Sequence, residues 1–541
     1  MMEDTPYEEP RGCWPRGWWS RLKRVKCPIP SEYKDEVVEM FKLAIPIILS
    51  QASTFVIGFV STAFTGHLGK TQLASVALAI AVINVTGISV GAGLTLACDT
   101  LISQTFGSGN LKQVGVILQR GVLILLLACL PCAAILLNTE GILILFRQSR
   151  NVARLAQIYV NIFLPSLPAT FMYLLQSRYL QNQGIIWPQL ITGVIGNVVN
   201  AVMNYVFLFS LKLDVAGSGA ANAICQYFMA IFLFIYIYVK GIYKSTWSGW
   251  SAECLQEWGP FMWLAIPSML MLCLEWWVYE IGGFLAGIIS ESELAAQSAV
   301  YELVTLNYMI PLGIGATASV RVGSALGAGK IEQAKLSAKV PVVCGSVMMA
   351  LRHYIGYIFT TDKEVLARVS VVMIVYIVAS IGVIRGAGKQ TFGAVCNFLG
   401  YYFIGLPVGA SLMFAAKMGI LGFWTGLCLS AFIQATIFIT FLCKLDWQKA
   451  STEAQIRAGV HIKDEAELNK IGAEATVAEP VYENPDNSLQ VQGQSNLTNT
   501  TEGKMLCTKQ LIVRRGLTVV ILLLIFSGGV VAQIFLDKKL T

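Results

Sequence analysis

The chain has 541 residues, of which 55% are apolar and only 13% charged, with a formal net charge of +7. Soluble domains carry roughly 25% charged residues, so an ordinary soluble fold is excluded. The positive charge is spread over loops and ends, which argues against a nucleic-acid footprint and for the basic edge of a membrane protein.

A helix needs about 20 mostly apolar residues to cross a hydrocarbon layer about 30 Å thick. Such runs are predicted, in chain order, at 41–64, 73–98, 114–137, 159–180, 185–211 and 215–239. They continue at 261–289, 294–320, a shorter 340–351, 365–384, 392–415, 420–443 and 517–536, thirteen in all. No cleavable leader is expected, because the first run starts near residue 41 and is long enough to stay in the bilayer. The expected organisation is an N-terminal segment 1–40, a six-span lobe 41–240 and a second six-span lobe 261–444. A polar linker, 445–515, reads as disordered, and 516–541 holds an extra span and tail.

With the N-terminus in the cytoplasm, nineteen Lys and Arg fall in the N-terminal segment and short inside loops, against nine in short outside loops. That bias predicts a cytoplasmic N-terminus and, after thirteen crossings, an extracellular C-terminus. The sequons at Asn496 and Asn499 then lie on the cytoplasmic side and are not expected to be glycosylated. The thirteen cysteines show no metal or redox spacing, and most sit in apolar runs as small hydrophobes.

The chain repeats itself. Leu43-Ala-Ile-Pro46 recurs as Leu264-Ala-Ile-Pro267, and the register holds through Gly66/Gly287 and Leu73/Leu294. After a one-residue slip, Gly107-Ser-Gly109 matches Gly327-Ala-Gly329. Each copy holds six spans, so both halves enter the membrane in the same direction and are expected to be related by a two-fold axis along its normal. This is an all-α, two-lobe architecture suited to alternating access around a central site. Later matches, Gly184/Gly388 and Gly217/Gly422, show that the second half has lost about 16 residues. The loss shortens the ninth and tenth spans, whose insertion would need tilting or snorkelling of Arg352 and Arg368.

Ionisable groups within spans are costly and are therefore functional candidates. Glu275, Glu280 and Glu302 fall opposite Thr54, Phe59 and Ala81 in the first half, so the scaffold itself does not require acids there. A carboxylate removed from water is easier to protonate, so a proton and an organic cation can compete for the same charge. Glu275 and Glu280 lie about 140° apart round a helix and need not share a face. Trp276, Trp277, Tyr279, Tyr301 and Tyr308 surround these acids, and such rings suit flat cations. Gln51 and Asn84 are candidate ligands from the first half, whereas Asn197, Asn200 and Asn204 read better as ties between helices. Asp99, near a span end, reads as a solvated carboxylate. The glycines of 323–329 lack the following Lys-Ser/Thr and the preceding strand of a phosphate loop. No nucleotide, metal or organic cofactor is therefore expected, and no enzyme motif is present; protons are the expected coupling ion.

Several long stretches, taken together, resemble the multidrug and toxin extrusion (MATE) family, and its vertebrate branch most of all. They are Gly66-His-Leu-Gly69, Leu78-Ala-Ile-Ala-Val-Ile-Asn84, Ala97-Cys-Asp-Thr-Leu-Ile-Ser-Gln104, Leu264-Ala-Ile-Pro-Ser-Met-Leu-Met-Leu-Cys273, Glu275-Trp-Trp277 and Ala325-Leu-Gly-Ala-Gly329. The resemblance implies proton-coupled export of organic cations across the apical plasma membrane of kidney and liver epithelia. It also implies roles for Glu275, Glu280, Glu302, Gln51, Asn84, Trp276, Tyr279, Tyr301 and Tyr308. Two departures stand out: 375–385 skips a further acid that the family carries in the tenth span, and Thr65 stands where close relatives have cysteine. Two other readings fit the same residues. One is a flippase for lipids or lipid-linked saccharides, and the other a transport-dead form that modulates a full-length partner.

Overall fold

The structure, a computed structural model, describes residues 31–350, 380–460 and 508–540, with some side chains in 291–307 and at segment ends outside that description. Every element among the described residues is helical, and eleven helices are long and apolar enough to cross a membrane. In hydrocarbon a helix satisfies its own backbone, so long apolar runs have little other choice.

The first half contains α1 (Ser31–Gly66), α2 (Lys70–Gly107), α3 (Leu111–Leu136), short α4 (Thr139–Leu145), α5 (Arg150–Gln181), α6 (Trp187–Ser210) and α7 (Asp214–Val239). The second contains α8 (Trp258–Ile289), α9 (Glu291–Gly327), α10 (Ile331–Ala350), α11 (Ser380–Gly386), α12 (Gln390–Phe414) and α13 (Ile420–Lys444). Then follow α14 (Trp447–Arg457) and α15 (Thr508–Leu540). The expected ninth span is the helix α10, which is not among the eleven; the expected tenth lies outside the described residues except for its end in α11.

Two expectations from hydropathy need correction. Helix α1 starts at Ser31, well before the apolar run, because its polar first turns are packed and not free: Met40 and Glu36 are buried. The polar stretch after Lys444 is not unstructured at its start. Asp446 caps α14 by accepting the Lys449 N–H at 3.1 Å, and Ala450 and Ala454 form a buried stripe with Ala458 just beyond the helix. Averaging composition over the whole segment hid this short amphipathic helix.

The halves meet along α2 against α8 and α9, and along α1 against α9. The repeat is legible in the contacts themselves. A side chain at Gly93 would collide with Met269, and one at Gly313 would collide with Ile48; these two pairs are repeat mates. Towards the basic end, a side chain at Gly107 would strike Ser324 and one at Gly327 would strike Gln104, again as repeat mates. Small residues let helix backbones approach closely in a membrane, where exclusion of water gives no drive to pack. Glu36 on α1 completes this end: Arg321 of α9 donates to both its carboxylate oxygens at 2.6 Å, and Ser337 of α10 adds a third bond at 2.6 Å. Its repeat mate Glu257, just before α8, takes Arg120 of α3 at 3.3 Å. The start of each half is thus pinned by the other half.

Helix α15 lies against α3. Gly529 packs on Ala134, Asn138 Nδ2 donates to the Gly529 carbonyl at 3.0 Å, and the Arg515 guanidinium lies 4.2 Å from the Trp258 ring centre. Its apolar span is otherwise largely exposed, as a lipid-facing helix requires.

Gly327→Val should force the α2–α9 crossing apart and cost about 1–3 kcal/mol, the usual penalty of overpacking. Gly283→Ala, on α8 where an added Cβ meets nothing within 4 Å, should be neutral or stabilising. Melting midpoints of the detergent-purified variants check both.

Candidate functional site

Glu275 lies on α8 one residue before Trp276 and is 4% exposed. Pro267 interrupts α8 two turns earlier; proline removes a backbone donor and bends a helix, which helps aim this stretch inward. Tyr308, on the neighbouring α9, donates its hydroxyl to Glu275 Oε1 at 2.8 Å. Around this pair stand Tyr279, whose ring centre lies 6.1 Å from that of Tyr301 and 5.8 Å from that of Trp424, stacked on the latter. Trp424 on α13 is held by Gln297, which accepts its indole N–H at 2.9 Å. Tyr401, on α12, is buried beside Glu275, Tyr279 and Tyr308. The result is one acid in a wall of aromatic rings, all contributed by the second half. Such a site offers a negative charge and π faces to a cation, and offers a proton a buried oxygen.

Of the residues singled out from sequence, Glu275, Tyr279, Tyr301 and Tyr308 come together. Glu280 is half-buried further along α8, on a different face from Glu275, as its five-residue spacing requires. Trp276 is half-buried on α8. Glu302 belongs to α9, and its side chain lies outside the described residues. Gln51 and Asn84 are half-buried on α1 and α2; among the described residues no hydrogen bond joins either to Glu275 or Tyr308. Asn84 opens a π-helical turn, Asn84–Ile88, and such turns leave a backbone carbonyl free for an outside donor. That donor is Trp277, whose indole N–H reaches the Val85 carbonyl at 3.1 Å across the two halves. The asparagines 197, 200 and 204 do tie helices: Asn200 accepts from Ser61 at 3.2 Å and Asn197 donates to the Ser53 carbonyl at 2.7 Å.

Trp424, Gln297 and Tyr401 were not anticipated. Trp424 and Tyr401 sit in apolar runs without a charged neighbour, Gln297 follows Glu293 by one turn, and the partner of each is remote in sequence, so local pattern carried no signal.

The expectation of a solvated Asp99 is overturned. Asp99 is wholly buried on α2, accepts from Asn182 at 3.1 Å and pairs with Arg178 at 3.4 Å. Arg385, on α11, is also buried and within electrostatic reach of Asp99, Tyr308 and Glu275. Its carbonyl accepts the Thr100 hydroxyl at 2.7 Å. Arg120, Arg178 and Arg385 are therefore interior residues and not loop charges. Setting them aside leaves sixteen basic residues against nine, still in the sense expected.

Comparison with known proteins agrees with this architecture. The MatE family profile matches residues 46–206 and 267–410, two segments that begin at the repeat-related prolines 46 and 267. Multidrug and toxin extrusion protein 1 of Danio rerio is 57% identical over 551 residues, covering 96% of this chain and 93% of that protein. The Homo sapiens protein of the same name is 46% identical over 546 residues, covering 94% and 95%. Among solved structures, the eukaryotic MATE transporter AtDTX14 superposes with a TM-score of 0.72 at 27% identity, covering 79% of this chain and all of that one. The VcmN D35N mutant of Vibrio cholerae shares the fold at 16% identity with a TM-score of 0.65.

Tyr308→Phe should cost about 1.5–3 kcal/mol, the usual worth of a hydrogen bond to a charged group. In a Glu275→Gln background the same substitution should cost markedly less. A double-mutant cycle on melting midpoints at pH 8 reads this coupling.

Proposed function

Because the chain belongs to the MatE family of multidrug and toxin extrusion transporters, and is thus a membrane transporter and not an enzyme, we propose that it is a proton-coupled antiporter exporting organic cations across the plasma membrane. The observation that carries this reading is the buried pair Glu275–Tyr308 inside its ring of Tyr279, Tyr301, Tyr401 and Trp424. The repeat mate of Glu275 is Thr54, which spends its hydroxyl on the Ser50 carbonyl at 3.1 Å. A helix in this position needs no acid to fold, so the acid in the second half serves something else.

In the proposed cycle the deprotonated Glu275 holds a flat organic cation against the rings. Protonation from the outer side removes the charge, and the cation leaves. Loss of the proton on the cytoplasmic side restores the site. Glu280 and Glu302 supply further carboxylates on α8 and α9. The basic end, sealed by the Gly107 and Gly327 crossings, faces the cytoplasm, as the charge bias suggests, and the export step uses the opposite end. Protons are the coupling ion and no other cofactor is invoked. The bilayer is the remaining partner, and apical sorting in epithelia belongs to the same proposal.

The shortened ninth and tenth spans favour one other outcome, a transport-dead form that pairs with a full-length relative.

Uptake of a labelled organic cation into cells with an outward proton gradient tests the proposal, with surface protein measured in parallel. The parent chain should accumulate the cation and lose it when the gradient is dissipated. Glu275→Gln should reduce uptake at least tenfold at equal surface protein. Unchanged uptake by that variant would sink the proposed role of Glu275, and no uptake by a surface-resident parent would favour the inactive form.

A further inference from the structure

Helix α14 lies outside every span and outside the aromatic site. It continues from α13, so it moves with the second half: Ser451 Oγ donates to the Leu326 carbonyl at 3.0 Å, and Lys389 donates to Glu453 at 2.7 Å. Its far end crosses to the first half. There Arg457 Nη1 donates to Gln104 Oε1 at 3.1 Å, and Asn110 Nδ2 donates to the Ala458 carbonyl at 3.0 Å.

Gln104 is the hinge point of this contact. It is wholly buried on α2, under the Gly327 crossing, and its Nε2 donates to the Gly386 carbonyl at 2.9 Å. One amide of the first half is therefore gripped from two sides by the second. Arg457 is held for the task by Glu453 at 3.3 Å, and its guanidinium packs against Gly388, where an added side chain would displace it. Gly388 has a φ of +73° and no room for a side chain, so glycine there satisfies both the turn and the close approach.

We propose that α14 is a latch that holds the two halves together at the basic end, through Arg457–Gln104 and Asn110–Ala458, and must let go before that end opens. The helices of the crossing give the end its shape; α14 sets how long it stays shut. Hydrogen bonds involving a charged partner are stronger than neutral ones and directional, so a small displacement of α14 breaks the grip at once. The proposal rests on the alternating-access reading of the fold, but its first test does not require transport.

Ser103→Cys is the reporter: Ser103 is wholly buried between α2 and α9, against Gly323. Maleimide labelling of the purified full chain carrying this reporter is measured above the background of the parent's own cysteines. Adding Arg457→Ala and Asn110→Ala should speed labelling about tenfold, equivalent to about 1.4 kcal/mol. Arg457→Lys should fall between that and the parent. A double variant that elutes and melts like the parent yet labels at the parent's rate overturns the latch. Should the alanine pair fail to fold, a second arm decides. Asn110→Cys with Arg457→Cys, bridged by a short reducible bifunctional thiol reagent, should stop cation uptake, and reductant should restore it. Full uptake by the bridged protein also overturns the proposal. If the unbridged parent does not transport at all, the antiporter reading fails, and the labelling arm still decides the latch.

Discussion

Two bundles of helices in lipid have no hydrophobic drive to stay together, so contact between them depends on how closely their backbones can approach. Here that approach is bought at a few glycines. Gly93, Gly107, Gly313 and Gly327 lie where α1, α2, α8 and α9 cross, and each meets the partner half at a distance no side chain permits. They come in two repeat-related pairs, so the crossing is a local two-fold written twice in one chain. Everything else about the interface follows from it, including which side chains are brought near enough to bond.

Charge then locks what the glycines allow. Burying an ion pair carries a heavy desolvation cost, and its worth lies more in fixing one arrangement than in raw stability. Glu36 with Arg321 is largely buried, Glu257 reaches the buried Arg120 from an exposed position, Asp99 with Arg178 is again largely buried, and all three pairs stand at the same end of the molecule. The first two join opposite halves, so they favour this alignment of the halves over any slipped one. Arg385, buried on α11, lies within electrostatic reach of both Asp99 and the Glu275–Tyr308 pair. The crossings are symmetric in backbone, but Glu275 has Thr54 as its repeat mate, so the second half carries an acid that the first lacks there. That asymmetry is the usual mark of a duplicated scaffold of which one copy carries the chemistry.

The site itself illustrates how far local pattern reaches. Glu275 and Tyr279 are one helical turn apart, so their common face was legible from spacing, and Tyr301 and Tyr308 follow on the adjoining helix. Trp424 and Tyr401 arrive from helices more than a hundred residues away, in runs that read simply as lipid-soluble. Asp99 misled for the converse reason. Its position near a span end suggests water, and only the fold removes that water, bringing Arg178 and Asn182 from the end of α5 against it and Arg385 of α11 within electrostatic reach.

By itself the sequence determined the all-helical membrane class, the duplication and the half that carries the acids. Hydrocarbon thickness fixes helix length, and a repeat in sequence is a repeat in structure. It also showed the MATE resemblance, because long identical stretches survive without reference to contacts. Tertiary structure alone decided that Asp99, Arg178 and Arg385 are interior, that Tyr401 and Trp424 complete the site, and that α14 folds back onto Gln104. Each of these depends on a partner remote in the chain, and burial or pairing of that kind leaves no periodic trace in the residues that take part.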